Sequence, residues 1–178
     1  DPLTNSTVTL DGNSTAVMEA ENEFAANAGI NYWAFCAYPM SCIDDDPPAG
    51  ACPNIQCCAD NTALSYALLR YLDLPKPAVN FSLILQVGSW WPTGAYGGAE
   101  TLEQEATRYA SYFAMPTYQK VLGERPIVFL FGLSRANATL VASALRALRS
   151  AAVARLGLRG NPYIATMGGS AASAKAAI

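Results

Sequence analysis

The chain contains no histidine. That absence removes a Ser–His–acid nucleophilic arrangement from its 178 residues and denies a zinc ion its usual nitrogen ligand. The five cysteines include no Cys-x-x-Cys pair, so no metal site is expected. Eleven Lys and Arg against fourteen Asp and Glu leave a net charge of −3, and no basic run is present that would form an electrostatic footprint for nucleic acid. Arg146, Arg149 and Arg155 fall on one long helical pattern and read as its solvated face. No stretch approaches the roughly 20 consecutive apolar residues of a membrane span. Gly97-Gly98 and Gly168-Gly169 lack the lysine and spacing of a phosphate-cradling loop, and no cofactor is expected.

What remains is strongly apolar. At 52% hydrophobic residues, the chain is long enough to bury one sizeable core. Four apolar runs stand out: Ile30–Tyr38, Val79–Val87, Pro126–Leu133 and Pro162–Met167. Near-continuous apolar segments that alternate with helical patterns predict parallel strands in βα units. The helices are expected from Thr15 to Ala28 with Val17, Ala20, Phe24 and Ala28 on one face, from Asn61 or Thr62 with a Leu64, Leu68 and Leu72 stripe, from a Thr101–Gln104 capping box to Phe113, and from Asn137 to Leu156. This spacing fits a (β/α)8 TIM-barrel-like α/β fold with about half of the barrel represented in the chain, and equally an open doubly wound sheet. The organisation is a polar leader over residues 1–14 followed by a partial barrel over residues 15–178, so a fragment of a larger barrel is expected.

Two patterns point to a secreted glycoprotein. Asn5, Asn13, Asn80 and Asn137 each open an Asn-x-Ser/Thr sequon. Asn5 and Asn13 lie in the polar leader; Asn80 and Asn137 also suit a turn and a helix cap, and both readings stand. Cys42, Cys52, Cys57 and Cys58, within a cysteine-rich loop at residues 39–60, flank the stretch Ile43–Ala51, which is too polar to pack by itself, and disulfides would staple it. Cys36 lies inside the first strand run and is expected to be a buried free thiol, unless it joins the set and leaves another cysteine odd.

The loops that follow the strands are where a barrel does its chemistry. They hold aromatics, glycines and hydroxyls, with few acids. Trp90, Trp91 and Tyr96 among Gly88, Gly94, Gly97 and Gly98 could lay flat faces against a sugar ring, with Gln86 and Ser89 as hydrogen-bond partners and Arg135 for an anionic group; packing at a barrel mouth explains the same residues. Cleaving a glycosidic bond needs two carboxyl groups flanking it. Asp44, Asp45 and Asp46 read better as a solvated turn, and Glu100 as a charge at a helix start, so no catalytic residue is assigned.

The stretch from Glu19 through Ala28-Gly-Ile-Asn-Tyr-Trp-Ala-Phe35 resembles the opening of glycoside-hydrolase-family-99-like domains associated with polysaccharide-locus proteins. Tyr112-Phe-Ala-Met-Pro-Thr-Tyr-Gln-Lys-Val-Leu-Gly-Glu-Arg-Pro-Ile-Val-Phe129 is similar to a later passage of that family, and family 71 glucanases share part of the pattern. The resemblance implies a (β/α)8 barrel acting on carbohydrate through carboxylates at strand ends. Related domains carry an acid after the second of these strands, where this chain reads Gln86-Val-Gly-Ser-Trp-Trp91. The expectation is therefore an extracellular module that binds a glycan or polysaccharide, or serves structurally. The alternatives are a secreted hydrolase whose acids lie elsewhere or on the cysteine loop, and a self-associating subunit of an extracellular filament or wall.

Overall fold

The computed structural model describes residues 11–38, 65–87, 101–133 and 136–168. Its elements, in chain order, are helix α1 (Thr15–Asn27), strand β1 (Tyr32–Ala37), helix α2 (residues 65–72), strand β2 (Asn80–Gln86), helix α3 (Leu102–Phe113), strand β3 (Lys120–Val121), strand β4 (Arg125–Phe131), helix α4 (Ala138–Leu156) and strand β5 (Tyr163–Met167). All four expected strand runs form, each one to three residues shorter than its apolar stretch, and β4 starts one residue earlier, at Arg125.

Local chemistry explains the helix limits. The Ser14 side chain accepts from the Val17 N–H at the start of α1, and Thr101 and Gln104 form a reciprocal capping box on α3. Asn137 caps α4 by accepting from the Leu140 N–H, and Gly157 ends that helix with φ 69°. Glu103 and Glu105 add negative charge to the first turn of α3, where the backbone N–H groups favour it.

Strands β1, β2, β4 and β5 run parallel in that spatial order, which is also their order along the chain. Two-residue β3 adds an antiparallel pairing at the start of β4. The chain is thus a mixed α/β protein wound in one direction, with the helices between strands gathered on one face. Leu68 and Tyr71 of α2, Tyr109 and Phe113 of α3, and Val141, Leu145 and Leu148 of α4 share a core with Phe81, Leu83 and Leu85 of β2 and Val128 and Leu130 of β4. Because successive strand residues point to opposite faces, the alternate positions turn away from the helices. Among the described residues β1 pairs only with β2, and β5 only with β4.

A line of rings runs through the helix-covered side: Phe113 against Tyr118, Tyr118 against Phe81, Phe81 against Tyr71, and Tyr71 against Phe35 and Trp33. Edge-on and tilted contacts of this kind add to area burial. Tyr118 also carries the polar seam between two strands. The Leu83 N–H donates to its Oη at 3.3 Å, and the O–H donates to the Ile127 carbonyl at 2.8 Å. Residues 117–119 pair with Phe81 through backbone bonds, so this short segment fills the wedge between β2 and β4 at their N-terminal ends.

Two expectations need correction. The buried stripe of α1 is Met18, Asn22 and Ala25, whereas Phe24 is 74% exposed and Val17, Ala20 and Ala28 also lie outside the core. A polar anchor rotates the helix: Asn22 Oδ1 accepts from the Ala78 N–H just before β2. Cys36 is a free thiol, but an exposed one. It alternates with Phe35 and Ala37 and so faces away from the helices.

Candidate functional site

In a parallel sheet wound this way β1, β2, β4 and β5 all end at the same edge. The face away from the helices is built in rows set by strand register. Cys36, Ile84, Phe129 and Ala165 lie side by side across all four strands. One step nearer the rim, Gln86 pairs with Phe131, and Phe131 with Met167. Phe131 is 48% exposed and Met167 39%, while Gln86 is half-buried. The rim row therefore offers a flat ring and a thioether beside an amide that can both donate and accept.

Tyr38 follows Cys36 on the same side of β1. Burial, and then the charge and hydrogen bond of the Cys36 thiol, push its phenol up to about 12. Farther from the rim, Tyr32 and Phe129 stack at 6.5 Å between centroids, with their planes nearly parallel at 13°. The two rings sit on either side of β2, where the small Ser82 leaves room, and the Ser82 hydroxyl turns to donate to the Trp33 carbonyl. At the strand starts Asn80 Nδ2 donates to Gln119 Oε1 at 3.1 Å. Arg125 donates to the carbonyls of Asn161 and Pro162 and lies over the Tyr163 ring.

No Asp or Glu occurs on any described strand. Among the described residues the one fully buried carboxylate is Glu105 of α3, which accepts from the Tyr109 hydroxyl at 3.1 Å with Arg108 at 4.0 Å. It is part of the helix-covered core and not of the rim. Among the described residues no group of three or more Cys, Asp or Glu side chains converges as a metal site would. A depression of about 370 Å³ between Tyr71, Pro75, Pro77, Met115 and Pro116 lies at the opposite end of the sheet, where the loops leading into β2 and β3 meet.

Of the sugar-contacting residues expected from sequence, Gln86 stands on the rim. Trp90, Trp91, Tyr96, Ser89 and Arg135 lie outside the described residues, as do Asp44, Asp45, Asp46, Glu100, Asn5, Cys42, Cys52, Cys57 and Cys58. Asn13 is exposed in the turn before α1. Asn137 is exposed and uses Oδ1 for its cap, leaving its amide nitrogen outside that bond; Asn80 is half-buried with its amide nitrogen engaged. Sequence reading missed Phe131 and Tyr118. The first was legible as the last ring before Gly132 in a run alternating with Phe129. The second sits in a segment too short and too polar to read as an element.

Comparison with known proteins finds no matching family model, no similar curated protein and no similar solved structure.

Proposed function

We propose that the chain is an extracellular carbohydrate-binding module built on about half of a glycosidase-like (β/α)8 barrel, and that it binds a glycan without cleaving it. The observation that carries this reading is the rim row: Gln86 beside the exposed Phe131, with no carboxylate on any described strand. Sugar rings present one apolar carbon–hydrogen face and a border of hydroxyls, which suits a flat ring flanked by an amide. A hydrolase would instead require a proton donor and a second carboxylate on either side of the bond. Trp90, Trp91 and Tyr96 follow within ten residues of Gln86 in the sequence, and flat rings of that kind suit the apolar face of a sugar. Singly wound parallel strands covered on one face support the half-barrel part of the reading. The four sequons and the cluster of Cys42, Cys52, Cys57 and Cys58 support the extracellular part.

The test is retardation of the full chain by soluble neutral and acidic polysaccharides in affinity gels, alongside a reducing-end assay for hydrolysis. Retardation by at least one glycan without release of reducing ends is expected. Gln86→Ala and Trp91→Ala should each weaken it about tenfold, the equivalent of about 1.4 kcal/mol. Unchanged retardation in both variants would remove this site, and glycan cleavage would show that acids outside the described strands act.

A further inference from the structure

Charge is divided sharply along this chain. All fourteen Asp and Glu lie before residue 125, whereas seven of the eleven Lys and Arg lie from Arg125 onward. They are too scattered in sequence to form a basic run, but α4 and the turn after it carry four of them. We infer that the outer side of α4 and the turn into β5 form a second glycan site, which takes an acidic polysaccharide and holds its carboxylate or sulfate groups on Arg149. The inference takes the carbohydrate class from the proposed function. The site itself is separate from the rim and lies at the opposite end of β5.

The site is a cleft of about 520 Å³ lined by Arg149, Ser150, Val153, Ala154 and Asn161. Its far wall is fixed from two sides. Gly160 lies so close to the Ala152 carbonyl that no side chain would fit between them. Arg125 donates to the Asn161 and Pro162 carbonyls at 2.8 and 2.9 Å. These contacts hold Asn161 beside the helix. Its Oδ1 is shut away from solvent and accepts no hydrogen bond. A buried acceptor in that state gains from any donor that reaches it, and an amide turned toward the cleft would meet the hydroxyl of a ligand there.

The charges around the cleft specify the rest of the ligand. Arg149 is half-buried in the cleft wall, with the exposed Ser150 beside it. Arg146, one turn earlier on the same stripe, is exposed, as are Arg155 in the last turn of α4 and Arg159 in the turn that follows. Fixed cations so gathered draw in a chain of anions. A guanidinium grips a carboxylate or sulfate through two parallel bonds. Ser150 and Asn161 supply neutral partners for sugar hydroxyls, and Val153 and Ala154 give a carbon–hydrogen face a small apolar floor. The lining includes no ring on which a nucleic-acid base would stack and no large apolar side chain to enter a lipid surface.

Affinity gels containing dextran, dextran sulfate or polygalacturonate test the inference on the full chain. Dextran and dextran sulfate share a backbone, so the difference between them reads charge alone. Retardation by dextran sulfate and by polygalacturonate should exceed that by dextran, and should weaken as sodium chloride is raised, because salt screens exposed charges. Arg149→Gln should weaken both about tenfold with circular dichroism unchanged, and Arg149→Lys should recover only part of the loss, since an ammonium is a point charge. Asn161→Ala keeps the backbone carbonyl that Arg125 holds and should weaken polygalacturonate binding severalfold. Retardation unchanged in Arg149→Gln would overturn the inference, as would equal retardation by dextran and dextran sulfate. Tighter binding, at the same ionic strength, to double-stranded DNA or to phosphatidylserine vesicles would also overturn it, since the face would then serve another kind of polyanion. If Arg149→Gln loses acidic-glycan binding while Gln86→Ala and Trp91→Ala bind as the parent does, the rim reading fails and this site stands. The reverse pattern removes this site and leaves the rim.

Discussion

Tyr118 satisfies two strands with one hydroxyl, which makes it the most consequential single side chain described. Tyr118→Phe keeps the ring packed between Phe81 and Phe113 but strands the Leu83 N–H and the Ile127 carbonyl in a dry seam. The expected loss is about 1–3 kcal/mol. It should be read as a lower urea midpoint at unchanged slope; a midpoint within error of the parent would mean that water or a shifted backbone replaces the hydroxyl. Gly132 is a second sensitive position. It has φ 86°, and a Cβ there would stand 3.2 Å from the Val87 carbonyl oxygen. Gly132→Ala combines a left-handed backbone with a close approach at the end of β4, and about 1–2 kcal/mol of destabilisation is expected by thermal melting. Gly132→Asn, which tolerates that backbone better, should lose more of its stability to the crowding than to the dihedral.

At the scale of elements, Asn137 separates two roles that its sequon merges. The cap uses Oδ1, whereas N-linked modification uses the amide nitrogen. Asn137→Asp should therefore keep the cap and remove the acceptor, leaving stability within about 0.5 kcal/mol, while Asn137→Ala should cost about 1 kcal/mol. Expressed in a secretory host, the Asp variant should lose one glycan mass if the site is used. Much of the element layout was legible because its causes are local. The Thr101–Gln104 box, Gly157 and the four apolar runs each announce themselves within a few residues. The α1 face was not legible, since what fixes it is a bond from Asn22 to Ala78, which is 56 residues away in the chain. The wedge at residues 117–119 escaped for the same reason: its pairing partner, Phe81, is distant in sequence, and the segment has no period of its own. For the site, Gln86 could be chosen from sequence because it closes a strand, but its neighbour Phe131 depends on the register between β2 and β4.

For the molecule as a whole, the buried phenols set the alkaline limit. Burial raises Tyr71, Tyr109 and Tyr118 above the ordinary value of 10.0, Tyr109 and Tyr118 strongly, and Tyr38 to about 12. A phenol that ionises later in the folded chain than in the unfolded one gives its full contribution below pH 10. That contribution is lost as pH rises through the folded value, because the unfolded state sheds its protons first. The urea midpoint should thus be unaffected by these groups up to about pH 10 and should fall steadily above it. Phenolate absorbance should show two populations, the later one appearing only as the chain unfolds. A single population titrating near 10 would mean that water reaches these rings. The clasp at Tyr118 also divides the molecule into a fixed workshop floor and an adaptable bench. Foreign loops grafted after β2 or β4 leave every bond of that clasp in place, so new specificities can be installed there. Deleting one residue from 117–119 would swing Tyr118 out of the seam and unzip the strands from the other end.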